Sequence, residues 1–328
     1  MVIAYSKSSG GPHSVAGSKN SLIWRRSYYP KYDVLGQHIL RLPKTQFDSY
    51  FNSSKNEKLG VLTVNEAHLK ALRCPQCGKN LFLNGEGEIV DGQITCQKGH
   101  TWEINNGIPS LVYPPISDED AKWIAEYDEM AESYDEMVKQ YNEFLDVDLM
   151  KERSSFSQFI PIEGPVRIID VSIGTAANFI ALYELFKKQM GRFNLHGMDL
   201  STGMLAVSQR KIAEVDFDVS LTYGSVFNPP YTSNFFDIVL HTGGINTFSD
   251  IHGALKEMLR LVKSGGVVIV VDEGLSPQMR ETEKGKAIIK ANSLFNAKPP
   301  LEFLPKKAQN LEVSYVMNET FYQMVFTK

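Results

Sequence analysis

From residue 166 onward the chain alternates short apolar runs with amphipathic stretches, and that alternation admits few folds. Residues 166–171 have the length and composition of a strand buried on both faces. Residues 177–190 read as helix, 193–199 as strand, 201–215 as helix, 217–223 as a third strand and 236–241 as a fourth. A helix over about 250–262 follows, then a turn at Lys263-Ser264-Gly265-Gly266 and a fifth strand over 266–272. One more helix fits 277–293. The runs 311–317 and 320–327 are β-rich and joined by a very short turn at Asn318-Glu319, the pattern of an antiparallel hairpin. Parallel strands need crossovers, and the helices supply them. The expectation is an α/β fold with a doubly wound, mostly parallel, seven-stranded sheet.

Upstream the texture changes three times. Residues 1–70 form an N-terminal extension, its first 20 rich in Gly, Ser and Lys and expected to be mobile. The aromatics of 21–70 follow no clear period, and Arg25 and Arg26 beside Trp24 fit a solvated face better than an anion site. Residues 71–113 form a Gly-rich, cysteine-bearing module. Residues 114–160 are a proline-stiffened linker and a helical stretch, with Ser117 or an acidic neighbour placed to cap its first helix. The sheet domain is expected over 161–328. The net charge of −4, from 34 Lys and Arg against 38 Asp and Glu, argues against a globally basic nucleic-acid binder. No apolar run approaches the ~20 residues of a membrane span. The first residues lack the apolar core of a secretory signal, so the cytoplasm is the expected compartment.

The first strand of the alternating region ends at Asp170 and runs into a loop of small residues, Ser172, Gly174, Ala176 and Ala177, before the helix. Ligands of open α/β sheets bind outside the carboxyl ends of the strands, and small residues let the backbone approach them closely. The second strand ends at Asp199, placed to accept both hydroxyls of a ribose. The third runs into Tyr223-Gly224-Ser225-Val226, where Ser225 can meet an adenine amine and Val226 can pack on the ring. Asp170 and Asp199 taken singly fit helix caps equally well. The ordered set strand, small loop, helix, strand, Asp argues against capping alone. A nicotinamide-binding domain is the rival. Its catalytic pair, mimicked by Tyr183 and Lys187, would not sit on the first helix.

The run IIDVSIGTAANFI resembles motif I of class I S-adenosylmethionine (SAM) dependent methyltransferases, and GMDLSTGML resembles the motif that follows it. FFDIVLHTGGINTFSD and EMLRLVKSGGVVIVVDE are similar to the fourth and fifth strand regions of the branch related to ubiquinone and menaquinone biosynthesis. The repeated pieces YDEMAESYDEMV resemble the helix that closes over the cofactor there. The resemblance covers about 120–328. It implies a Rossmann-like methyltransferase domain with Tyr127, Tyr134, Asp170, Ser172, Gly174, Ala176, Asp199, Leu200, Met204, Gly224, Ser225, Val226 and His241 around SAM. In the loop two of three expected glycines are replaced, at Ser172 and Ala176, and Ser225 stands where relatives often carry Asp.

The three cysteines sit in one pattern with a histidine: Cys74-x2-Cys77, then 18 residues to Cys96, then three to His100. Four soft or borderline donors at that spacing suit a tetrahedral, structural Zn2+. Gly78 and Gly99 sit beside ligands, where knuckle turns often need positive φ. A free or redox-active Cys74–Cys77 pair is the alternative. The module resembles a small zinc ribbon ending in Gly-Ile-Pro-x-Leu, here Gly107 to Leu111, and the zinc module of ribosomal-RNA guanine-N1 methyltransferases.

Together these readings imply a methyltransferase acting by in-line displacement on a small-molecule acceptor of quinone-like or lipid-like kind. An RNA methyltransferase using the module to grip RNA, and a non-catalytic binding partner, are the alternatives. Tyr127 and Tyr134 are candidates to face the sulfonium. His241, at the end of the fourth strand, is the candidate base, with Asn246 and Glu273 also at strand ends.

Overall fold

The computed structural model describes residues 62–84, 87–215 and 217–328. The aromatics and arginines of 21–61 lie outside the described residues. After the short helix α1 (Glu66–Ala71) the strands β1 (Leu81–Leu83), β2 (Gly92–Cys96), β3 (Thr101–Asn105) and β4 (Ile108–Pro109) pair in that order into a small sheet. This unit draws in residues upstream of 71. Val64 exchanges both backbone hydrogen bonds with Ile89. Gly107 lies so close to the Leu62 carbonyl that a Cβ there would stand 2.1 Å from it.

The linker leads into α2 (Asp118–Met130), a 3-10 turn (Ala131–Ser133), α3 (Tyr134–Leu145) and α4 (Leu149–Arg153). Ser117 caps α2, its side chain accepting the Asp120 N–H at 3.1 Å. The expected continuous helix is therefore segmented. The break after Met130 still leaves Tyr127 and Tyr134 together, with ring centroids 6.4 Å apart.

The alternation then unfolds as β5 (Val166–Asp170), α5 (Ala177–Phe186), β6 (Phe193–Asp199), α6 (Thr202–Ala213), β7 (Val219–Tyr223), β8 (Phe236–Thr242), α7 (Ile251–Leu261) and β9 (Val262–Glu273). Two short helices follow, α8 (Pro277–Glu281) and α9 (Glu283–Ala291), then the hairpin β10 (Gln309–Val316) and β11 (Phe321–Thr327). The expected single helix over 277–293 is broken at Thr282, whose extended backbone ends α8 while its side chain caps α9. A β-branched capping residue ends one helix and starts another as readily as it continues one. The seven strands order as β10-β11-β9-β8-β5-β6-β7, with the hairpin antiparallel and the rest parallel. This is a Rossmann-like sheet whose strand order reverses beside β5, so a crevice opens where β5 and β8 diverge to opposite connections.

The two faces of the sheet carry separate cores. One joins Ile168, Leu240 and Ile269 to α5, α6 and the lid helices α2 to α4. The other joins Ile169, Val239 and Val268 to α7 and runs without interruption into the small sheet through Leu72, Ile94 and Leu111. The small sheet docks along the β7 edge, where Ser110 bridges Tyr223 in parallel and Leu72 bridges Tyr231.

Two histidines sit in that joint. His68 on α1 and His196 on β6 are fully buried with rings 5.7 Å apart, and each keeps an Nδ1 without a partner among the described residues. His68 Nε2 meets Thr222 Oγ1 at 3.0 Å, which also accepts the Tyr231 hydroxyl. Burial pushes His68 down to about 3 and His196 well below its usual range, the latter helped by His68 and Arg167. Both rings are neutral when folded, whereas the unfolded chain protonates them below pH ~6.5. Stability is therefore expected to fall as pH drops from ~6.5, by up to ~1.4 kcal/mol per pH unit for each ring. His196→Phe, a ring among the rings of Tyr231 and Phe236, should flatten that slope in denaturant melts at pH 7, 6 and 5. A slope unchanged by the substitution contradicts the assignment.

Candidate functional site

A cleft of about 930 Å³, including its open mouth, lies at the carboxyl ends of β5, β6, β7 and β8 beneath the lid. Its floor is the loop after β5. Gly174 adopts φ +54° and Ala176 φ +61°, both in the left-handed region. Ser172 does not, so its replacement of a glycine costs no backbone strain, whereas Ala176 carries a Cβ in a conformation that L residues avoid by roughly 1–2 kcal/mol. Ile173 tucks under the loop against Gly197, where a Cβ would stand 2.2 Å from its Cδ1.

Asp199 holds the next wall. Its Oδ2 accepts the Gly174 N–H at 2.9 Å and its Oδ1 the Ser201 N–H at 2.9 Å, so one carboxylate ties the β5 loop to the start of α6. Burial raises its pKa and these N–H donors pull it back. Asp170 lies under the loop, wholly buried, accepting from Asn178 Nδ2 at 2.8 Å and from the Ser172 N–H at 3.3 Å. Burial lifts it to about 6.

The lid is clasped by the two aspartates of the Tyr-Asp repeat. Asp128 accepts from Ser201 Oγ at 2.6 Å and from the Gly203 N–H at 2.8 Å, at the N-terminus of α6. Asp135 accepts from Thr175 Oγ1 and from Lys211 Nζ, both at 2.7 Å. Each repeat thus points a tyrosine into the cleft and an aspartate at the sheet domain.

Of the residues expected from sequence, Tyr127, Tyr134, Ser172, Gly174, Asp199, Leu200, Met204, Gly224 and Val226 line the cleft. Asp170, Ala176, Ser225 and His241 are not among its lining residues. Ser225 turns back on its own loop, its Oγ accepting the Phe227 N–H at 3.2 Å, and does not face the cleft as an adenine contact. His241 lies behind the β5 loop, with Nδ1 3.1 Å from Ser172 Oγ and its ring against Phe248. Burial holds it down to about 4, so it is a neutral ring that orients Ser172, and its place behind the loop does not suit a base acting on a bound acceptor. Sequence reasoning missed Arg153, a cation of the lining, whose Nη1 donates to Asn178 at 3.1 Å while its Nε has no partner among the described residues. It missed Trp123, Ile124, Phe227 and Phe248, which make the mouth apolar. Phe248 lies in the run FFDIVLHTGGINTFSD, which was read for its strand and for His241 and Asn246, and the others lie outside the quoted motifs.

Behind the cleft Asn246 and Asp272 lock the β8 and β9 ends. Asp272 accepts the Gly244 and Asn246 N–H groups at 3.2 and 2.8 Å, and Asn246 donates to the Glu273 carbonyl. The Glu273 carboxyl is fully buried, and among the described residues neither oxygen has a partner at good hydrogen-bond geometry. Burial, with Asp272 adjacent, raises it well above the usual carboxylate range. It stays protonated in the folded protein while the unfolded chain ionises above ~4.3, so stability is full below that pH and is lost as pH rises toward the folded value. Glu273→Gln should raise Tm at pH 7–8 and leave it unchanged near pH 4. A loss of Tm at pH 7 contradicts this.

In the small sheet Cys74, Cys77, Cys96 and His100 bring four ligand atoms within 4.8 Å of one another. Cys74 Sγ and Cys96 Sγ each lie 3.4 Å from His100 Nδ1, and Cys77 Sγ lies 3.7 Å from Cys96 Sγ. Tetrahedral bonds of about 2.3 Å to sulfur and 2.0–2.1 Å to nitrogen place such atoms about 3.5–3.8 Å apart, so the donor set fits a zinc-sized ion. Both knuckle glycines adopt positive φ, Gly78 at +71° and Gly99 at +82°. Among the described residues no helix is long and apolar enough to cross a membrane.

A demethylmenaquinone methyltransferase of Bacillus velezensis is 31% identical over 130 residues, 39% of this chain and 54% of the relative. One from Staphylococcus epidermidis is 35% identical over 106 residues, 32% of this chain and 42% of the relative. The chain thus spans about half the length of the curated relatives it matches. Among solved structures, phosphoethanolamine N-methyltransferase 2 of Haemonchus contortus, in complex with SAM, superposes with a TM-score of 0.43 at 17% identity, over 57% of this chain and 52% of that one. A SAM-dependent methyltransferase of Thermotoga maritima gives 0.45 at 19% identity, over 62% and 99%. The sequence profile of the ubiE/COQ5 methyltransferases matches residues 118–284, from the lid to α9, and so the chain belongs to the ubiE/COQ5 methyltransferase family.

Proposed function

We propose that this protein is a SAM-dependent methyltransferase whose acceptor is a small, apolar, hydroxylated aromatic of the quinol type. The observation that carries the reading is Asp199: a carboxylate at the tip of β6, tied to the β5 loop and facing a cleft at the point where strand order reverses. In this reading Asp199 takes the ribose hydroxyls, Val226 and Phe227 pack the adenine, and Arg153 takes the carboxylate of the methionyl group. Tyr127 and Tyr134 face the sulfonium.

SAM supplies an electrophilic methyl group, and transfer is an in-line displacement that needs alignment and exclusion of water more than it needs a base. The chain provides both. The lid is held down by Asp128 and Asp135, and Trp123, Ile124 and Phe248 give the mouth an apolar surface for a ring. The names of the curated relatives, demethylmenaquinone methyltransferases, support a quinol acceptor. Cys74, Cys77, Cys96 and His100 hold a structural Zn2+, a closed four-ligand shell with no open position for chemistry. The test is transfer of labelled methyl from SAM to a reduced, demethylated isoprenoid naphthoquinone. Label in the quinol, lost in Asp199→Ala, is the expected result. Turnover of RNA but not of any quinol would overturn the choice of acceptor.

A further inference from the structure

The wall of the cleft that receives the adenine is hydrogen-bonded directly to the metal knuckle. Residues 224–228 form a tight turn: the Gly224 N–H donates to the Asp199 carbonyl at 3.1 Å and the Asn228 N–H to the Ser225 carbonyl at 3.1 Å. Val226 and Phe227 face the cleft. The next side chain, Asn228, turns the other way. Its Nδ2 donates to the Pro75 carbonyl at 2.9 Å and to the Tyr113 carbonyl at 2.6 Å. Pro75 lies inside the Cys74–Cys77 knuckle, and Tyr113 ends the segment by which the chain leaves the small sheet.

The flanking backbone continues the seam on both sides. The Arg73 N–H donates to the Pro230 carbonyl, the Thr232 N–H to the Ala71 carbonyl and the Leu111 N–H to the Tyr223 carbonyl, all at 2.8 Å. Arg73 immediately precedes the first ligand, and Tyr223 immediately precedes Gly224. One hydrogen-bonded strip therefore runs from Cys74 to Val226 with no loose segment between them.

We propose that Asn228 is a positioning residue that couples the metal knuckle to the nucleoside wall, so that metal occupancy and nucleoside binding strengthen each other. The inference rests on the nucleoside and metal readings given above. Metal fixes the 74–77 turn and with it the Pro75 carbonyl. Without metal the turn keeps its backbone bonds around Cys74, including those with Gly78 and Lys79, but loses the ion that clamps Cys74 to Cys77, and the Asn228 amide has a less firmly fixed acceptor. The 224–228 turn then loosens where Val226 and Phe227 pack the base. Linkage makes the effect reciprocal: whatever metal does for nucleoside affinity, nucleoside does for metal affinity.

The test uses the intact holoprotein. Metal release to a chromogenic chelator is timed with and without saturating S-adenosylhomocysteine, and affinity for that nucleoside is measured by calorimetry. Bound nucleoside is expected to slow release by about fivefold or more, the lower end of ordinary coupling. Asn228→Asp keeps the size of the side chain but removes both donors. It should weaken nucleoside binding about fivefold and abolish the slowing, with one metal still bound per chain. If that variant fails to fold, the wild-type release rates decide alone. Nucleoside that binds the wild type without slowing release overturns the coupling, as does a slowing retained in Asn228→Asp. A wild type that binds nucleoside but holds no metal overturns the metal reading and the coupling with it. No nucleoside binding by metal-loaded protein overturns instead the reading of the cleft.

Discussion

Replacing Asp199 with Ala is expected to weaken binding of S-adenosylhomocysteine by at least ~100-fold, the largest single effect available in the cleft. Two losses combine. The ribose hydroxyls lose a charged acceptor, worth about 1.5–3 kcal/mol for a charge-assisted hydrogen bond. The N–H groups of Gly174 and Ser201 lose the oxygens that hold the β5 loop against α6, so the floor of the site loosens as well. About 2.7 kcal/mol is already 100-fold in Kd. Asp199→Asn keeps the shape and one acceptor oxygen, and should fall between the two. Calorimetry on both variants, with Tm recorded to show that each is folded, checks this. An affinity in Asp199→Ala within threefold of wild type would remove Asp199 from the ribose.

Stripping the metal should have the largest effect on stability. The small sheet buries aliphatic side chains, Leu72, Ile94, Ile104, Ile108 and Leu111, but no aromatic ring at full burial, and two more of its buried groups are the ligands Cys74 and Cys96. Structural zinc in comparable small units contributes about 10–16 kcal/mol of binding energy to folding, far more than a sheet of this size gains from packing alone. A strong chelator is therefore expected to lower Tm by ten degrees or more and to expose residues 71–113 to proteolysis, with readdition of Zn2+ reversing both. Cys96→Ser should take metal content from one per chain toward zero. A chain whose Tm and protease pattern ignore the chelator, at a measured metal content near one, contradicts a structural role for the ion.

The succession of strands was readable from residue 166 on because the parallel strands are buried apolar runs closed by polar or glycine-bearing loops, whereas the exposed β10 was marked only by its β-rich composition and the short turn after it. The convergence of Cys74, Cys77, Cys96 and His100 was readable because thiol and imidazole donors at knuckle spacing have few other uses. Helix continuity was not readable: Thr282 and the Met130–Ala131 junction carry no proline or glycine, and only packing decides that the chain bends there. Side-chain direction at strand ends was not readable either. Asp170, Ser225 and His241 sit at the right heights but turn under or behind the loops, because the same turn that exposes one residue buries its neighbour. Arg153 and Asp128 reach the site from segments far away in sequence. The signal for Asp128 was present in the Tyr-Asp repeat, whose tyrosines alone were read. Asn228 carried no signal in the sequence reading.

The central claim is that a nucleoside sulfonium binds between the β5 loop, the Asp199 tip, the 224–228 turn and the clasped lid. Calorimetric titration of the metal-loaded full chain with SAM and with S-adenosylhomocysteine tests it most directly. The expected result is one site per chain for each, competition between the two, and quenching or enhancement of Trp123 emission as the cleft fills. Absence of measurable binding by either compound, with the protein folded and carrying its metal, would contradict the account.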